Sequence, residues 1–177
     1  MTPQVIVLNG GSSSGTSSLA RALQDVLPRP WLTFGVDSLI EALPPGMRDD
    51  PDGLVLGPDG SVTPGAAFHA LQDSWRHGVA AVARAGAPVI LDEVFLGGVE
   101  GRRAWERALG DLPVLWVGVR CDAAVATARE RARPDRVPGM AAAQASLVHR
   151  GMTYDIEVDT GRRTAQECAR EVAERVG

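Results

Sequence analysis

The residues best suited to chemistry lie in the run Gly10-Gly11-Ser12-Ser13-Ser14-Gly15-Thr16-Ser17. It fits G-x-x-x-x-G-K-[ST] at every fixed position but one, where Thr16 replaces the lysine. Glycines in such a run let the backbone curl so that its amides and the positive end of the next helix face a phosphate, and Ser17 offers a hydroxyl to a magnesium ion. Gly10, Gly11, Ser12, Ser13, Ser14, Gly15, Thr16, Ser17 and Ser18 are therefore the expected nucleotide-binding residues. The missing element is charge, because a threonine hydroxyl donates a hydrogen bond but is neutral. All 18 basic residues are arginines, so no lysine elsewhere can supply an ammonium group. A plain glycine-serine turn is the bland alternative. A dinucleotide fold would place an acid about 20 residues past Gly15, where Asp37 stands, but its G-x-G-x-x-G spacing requires glycine at the position of Ser12.

The elements around this run predict how it is held. Val5 to Leu8 is an apolar strand leading into the loop, and Leu19, Ala22, Leu23, Val26 and Leu27 follow at helical spacing. Trp31 to Val36 reads as a short strand ending at Asp37, and Pro88 to Leu91 as another ending at Asp92-Glu93. Leu112 to Val119 and Tyr154 to Val158 complete the strands. Helices are expected over 65–85, 102–109, 122–133, 141–149 and 164–176. Strands alternating with helices predict an α/β fold with a parallel sheet covered on both faces. The stretch 44–64, rich in Pro, Gly and Asp, is expected to be an inserted loop or small cap over a site. With 177 residues, 45% apolar and 23% charged, the chain is expected to form one domain over 1–177.

Several function classes are disfavoured. A net charge of −4 argues against general nucleic-acid affinity. No run approaches the roughly 20 apolar residues of a membrane span, and no secretory leader is recognisable, so a cytoplasmic protein is expected. Cys121 and Cys168 have no metal-ligand spacing and read as buried free thiols. His69, His77 and His149 stand apart from other ligands, and Asp49, Asp50 and Asp52 read as an exposed acidic loop. Arg129, Arg133 and Arg136 recur at helical spacing, which a continuous helix would gather on one face and which Pro134 interrupts.

The chain resembles the chloramphenicol phosphotransferases, small P-loop kinases that phosphorylate a hydroxyl of the antibiotic. The resemblance rests on Ile6 to Ser17 (IVLNGGSSSGTS), Phe34 to Glu41 (FGVDSLIE), Asp92 to Gly98 (DEVFLGG), Leu115 to Asp122 (LWVGVRCD), Asp135 to Gln144 (DRVPGMAAAQ) and Tyr154 to Thr160 (YDIEVDT), in order along nearly the whole chain. It implies a nucleoside-monophosphate-kinase-like, five-stranded parallel sheet with an arginine-bearing lid at about 123–140. It also implies ATP, or GTP, and Mg2+ as cofactors and a small chloramphenicol-like hydroxyl compound as acceptor. By the same resemblance Asp37 is the general base, and Arg133 and Arg136 close on the transferred phosphate. Asp92, after Val89-Ile90-Leu91, reads as the acid that ends a Walker B strand and orients magnesium or its water, with Glu93 as a neighbour to share the task and a strand-end cap as the alternative. Phe34, Ile40, Phe68, Trp75, Val94 and Phe95 are the apolar candidates for the acceptor pocket, with plain core as their alternative. The Thr16 departure leaves a second expectation, a relative that binds nucleotide or ligand without transferring phosphate.

Overall fold

The computed structural model describes residues 2–133 and 138–177. Strand β1 (Val5–Asn9) leads through the glycine-rich loop into helix α1 (Thr16–Val26), and β2 (Leu32–Gly35) leads directly into α2 (Val36–Ala42). A 3-10 turn at Pro45–Met47 precedes β3 (Leu54–Leu56) and β4 (Val62–Pro64). There follow α3 (Ala66–Arg84), β5 (Val89–Glu93), α4 (Val99–Leu109), β6 (Val114–Arg120) and α5 (Ala123–Arg131). Helix α6 (Met140–Leu147), β7 (Ile156–Asp159) and α7 (Ala165–Ala173) complete the described chain.

The main sheet has five strands in the order β2-β5-β1-β6-β7, and every neighbouring pair is parallel. β1 is central because both its faces are apolar: Val5, Ile6, Val7 and Leu8 are all fully buried. Alternation sends Ile6 and Leu8 to one face, where they pack with Leu19, Leu23, Cys168 and Val172 of α1 and α7. Val5 and Val7 go to the other face, against Val79, Ala83, Trp105 and Leu109 of α3 and α4. The expected parallel sheet covered on both faces is thus the observed one.

Two expectations are refined. The stretch 44–64 is not all loop, since β3 and β4 pair as an antiparallel hairpin with Leu54 opposite Pro64 and Leu56 opposite Val62. Leu54 packs there with Leu39, Leu43 and Phe68 in a small separate core. The last strand begins at Ile156 rather than Tyr154, and the Tyr154 ring lies across Gly118, where a Cβ would sit 2.6 Å from its Cδ2. Among the described residues no helix is long and apolar enough to cross a membrane. Both cysteines are free, but only Cys168 is buried; Cys121 is half-buried, which corrects the expectation of two buried thiols.

Candidate functional site

The root of the glycine-rich loop is anchored by Asn9, the last residue of β1. Its Oδ1 accepts a hydrogen bond from the Phe95 amide at 3.0 Å, and its Nδ2 donates to the Val148 carbonyl and the Tyr154 hydroxyl, both at 2.7 Å. The Tyr154 hydroxyl also lies 2.7 Å from His149 Nδ1. Burial, reinforced by the Arg120 charge, pushes the His149 pKa down to about 4, so the neutral ring accepts the Tyr154 proton at Nδ1. One side chain thereby ties the root of the glycine-rich loop to the segment after β5, to the end of α6 and to the segment preceding β7.

The loop then curls. Ser13 has φ 60° and Gly15 φ 90°, and Gly15 is the N-cap of α1, so two left-handed residues on either side of Ser14 turn the chain into the helix. Ser13 is a non-glycine in this region, a conformation that carries a cost and concentrates at functional sites. The outer side is braced from a distance: Thr160 Oγ1 donates to the Ser14 carbonyl, Arg129 Nη2 donates to the Thr160 carbonyl at 2.6 Å, and Arg129 Nη1 reaches the Ser14 carbonyl at 3.5 Å. Arg129 therefore places a guanidinium beside a loop that has no lysine.

A cavity of about 690 Å³ runs from this loop across the carboxyl ends of the strands. Gly11, Ser12, Ser13, Gly15, Thr16, Ser17 and Ser18 line one part of it; Gly10 and Ser14 lie behind that wall. Asp37, Asp92, Arg129 and Arg133 also face the cavity, which brings the expected base, metal residues and one lid arginine to one space with the loop. Arg136 lies outside the described residues. Asp37 is exposed in the first turn of α2; the N-cap is Gly35, with no side-chain cap, so capping is not what Asp37 does.

The residues suit a magnesium ion. Ser17 Oγ donates to Asp92 Oδ2 at 2.6 Å, bringing a hydroxyl and a carboxylate oxygen to one point beside the glycine-rich loop. Magnesium takes hard oxygen donors, usually one or two from protein with phosphate and water for the rest. Among the described residues no group of three or more His, Cys, Asp or Glu could form a protein cage.

Glu93 does not share that point. Alternation along β5 turns it to the face carrying Val89 and Leu91, where it is buried. Burial pushes its carboxyl up to about 8, against the opposing charge of Arg76, so at neutral pH it is mostly protonated and a poor metal ligand. The native state then holds a proton that the unfolded chain, with a pKa near 4.5, releases. Stability from this group is present below about 4.5 and is lost as pH rises through about 8. Glu93→Gln should flatten the decline in thermal midpoint between pH 5 and 8 measured by circular dichroism; an unchanged slope would show that Glu93 is ionised in the folded protein.

Of the apolar pocket candidates, Ile40 and Val94 line the cavity. Phe34, Phe68, Trp75 and Phe95 do not, and this corrects the expectation for those four. Phe68 and Phe95 are each 3% exposed and fill two of the cores, while Phe34 packs edge-on to Trp75 with ring centroids 6.0 Å apart. The aromatic rings supply core volume, and the cavity wall is aliphatic instead: Val36, Leu54, Leu56, Val62, Leu96 and Met140. Leu54, Leu56 and Val62 come from the hairpin, whose Asp59-Gly60 turn flanked by apolar residues was the available sequence signal. Arg48, Gln144, Thr160, Arg163 and Thr164 also line the cavity; Gln144 and Thr160 end two of the stretches that carry the family resemblance, and no motif marks the other three.

A family model described as chloramphenicol phosphotransferase-like protein matches residues 3–177. A Mycobacterium tuberculosis H37Rv protein named "Putative O-phosphotransferase" is 32% identical over 195 residues, covering 97% of this chain and 81% of the relative. Among solved structures, an unliganded sugar kinase from Janibacter sp. HTCC2649 superposes with a TM-score of 0.70 at 16% identity, covering 97% of this chain and 93% of that one. The tunicamycin resistance protein of Deinococcus radiodurans superposes with a TM-score of 0.68 at 21% identity, covering 100% and 96%. At these identities the superpositions show a shared fold.

Proposed function

The chain belongs to the chloramphenicol phosphotransferase-like family and is a small-molecule O-phosphotransferase, and from that premise we propose that it moves the γ-phosphate of ATP to a hydroxyl of a small antibiotic such as chloramphenicol, in the cytoplasm. The observation that carries this reading is the single cavity shared by the phosphate loop, the Ser17–Asp92 pair, Asp37 and an aliphatic wall. Phosphoryl transfer asks a protein mainly for positioning and charge stabilisation, and those residues supply both.

The amides from Gly11 to Ser18 and the amino end of α1 hold the phosphates. Ser17 and Asp92 would hold magnesium, which would neutralise charge on the phosphates. On the opposite side, Val36, Ile40, Leu54, Leu56, Val62 and Val94 enclose the apolar body of the acceptor and exclude water, the hairpin of β3 and β4 acting as the cap. Asp37 accepts the acceptor's hydroxyl proton on a carboxylate oxygen as that hydroxyl oxygen bonds to the γ-phosphorus. The bond from that phosphorus to the β–γ bridging oxygen breaks, and the bridging oxygen leaves with ADP. Arg129 and Arg133 stabilise the charge spread over the transferring group, and Arg136 is assigned to the same lid.

Incubation of the protein with chloramphenicol, magnesium and ATP or GTP, followed by mass spectrometry of the drug, tests the reading. A phosphorylated product is expected. An unchanged drug alongside measurable nucleotide binding would remove chloramphenicol as acceptor and favour a binding role.

A further inference from the structure

Helix α6 lies directly on the opening of the phosphate loop. A Cβ at Gly11 would sit 3.2 Å from Gln144 Cβ and 3.4 Å from the Ala145 amide nitrogen, so the helix packs against the loop at a distance that a larger residue at 11 would widen by a few tenths of an ångström. Gln144 is 4% exposed, and its Oε1 accepts the Ser12 amide hydrogen at 2.8 Å. A backbone N–H can only donate, so the half of the Gln144 amide facing Ser12 is the carbonyl and the other half is the NH2 group.

That NH2 group has no acceptor among the described residues, yet the side chain lines the cavity beside Ser12, Ser13 and Thr16. The Ser12, Ser13 and Ser14 hydroxyls of the loop are enclosed and without partners among the described residues. An amide donor held open to the cavity beside a loop of hydroxyls without partners suits a ligand rich in acceptor oxygens. We propose that Gln144 donates a hydrogen bond from Nε2 to a nucleotide phosphate, supplying as a neutral donor part of what the absent loop lysine would supply as a charged one. Its Oε1 bond to Ser12 fixes the side chain, so the donor is held in place before the nucleotide arrives. This inference rests on the nucleotide-binding reading above.

Calorimetric titration of Mg·ATP into wild type, Gln144→Glu and Gln144→Met separates the two halves of the amide. Gln144→Glu keeps an oxygen for Ser12 but turns a second carboxylate oxygen, with no hydrogen to donate, toward the phosphates; its Kd should rise about 10- to 100-fold, with the thermal midpoint measured alongside to confirm that the variant is folded. Gln144→Met removes both halves and should weaken binding by less. Equal affinity in all three proteins would overturn the role of Gln144 alone. Tighter binding by Gln144→Met would overturn it too, by showing that the glutamine competes with phosphate for the Ser12 amide. Absence of nucleotide binding by wild type would overturn the nucleotide reading and this inference with it.

Discussion

Asp37→Asn is expected to lower kcat for acceptor phosphorylation by about 10²- to 10⁴-fold, the range that a positioned general base contributes. Asparagine preserves shape and hydrogen-bonding reach but cannot take the hydroxyl proton as the oxygen attacks. The fold should tolerate the change, because Asp37 is exposed and the start of α2 is capped at Gly35 without help from a side chain. The nucleotide KM should stay within about twofold, since phosphate contacts come from the loop and α1. Steady-state kinetics with the thermal midpoint measured alongside checks both statements. A variant that keeps most of its kcat would remove the base from Asp37 and leave it as an acid favoured by a helix amino end.

Thr16→Lys is expected to raise kcat by up to about 10²- to 10³-fold, the worth of one preorganised donor of about 2.7 to 4 kcal/mol at the charge that develops in the transition state. Thr16 is the first residue of α1 and lines the cavity, so a longer side chain can extend along the phosphates without entering a core. The substitution also exchanges a β-branched residue for a good helix former. Measurement of kcat with a fixed acceptor and saturating ATP reads the effect. A gain confined to a few-fold would mean that Arg129, Arg133 and the neutral donors around the loop already carry the charge stabilisation. A wild type that binds nucleotide without turnover, beside a Thr16→Lys protein that turns over, would identify the natural chain as a weakened relative whose site is otherwise intact.

The features that were legible beforehand are local ones. The loop from Gly10 to Ser17 follows a strand and opens a helix within a few residues, so spacing alone placed it, and its glycines mark where the backbone must turn. The strands of a sheet covered on both faces read as continuous apolar runs, which is why β1, β5 and β6 were found where they are. Asp37 and Asp92 were placed at the same end of the sheet because both lie at the carboxyl ends of predicted parallel strands.

Other features depended on which elements became neighbours. Apolar periodicity states that a residue is buried but not what it is buried against, so Phe34, Phe68, Trp75 and Phe95 carried the same signal as Ile40 and Val94 and were sorted only by packing. Glu93 differs from Asp92 by one position, and the period of the strand sends the two carboxyls to opposite faces, one to the phosphate loop and one into a core. The partners of the loop are farther away still: Gln144 meets Ser12 across 132 positions and Arg129 meets Ser14 across 115. Those pairs exist because the order β2-β5-β1-β6-β7 sets β1 beside β6 and β6 beside β7, which carries α5, α6 and Thr160 to the mouth of the loop. The sequence by itself determined a glycine-rich loop of phosphate-loop spacing, without a lysine, at the end of a parallel strand, because backbone curl and helix start are set by adjacent residues; the donors and charges gathered around that loop were decided by the tertiary structure, because only closure of the sheet brings such distant residues within hydrogen-bonding reach.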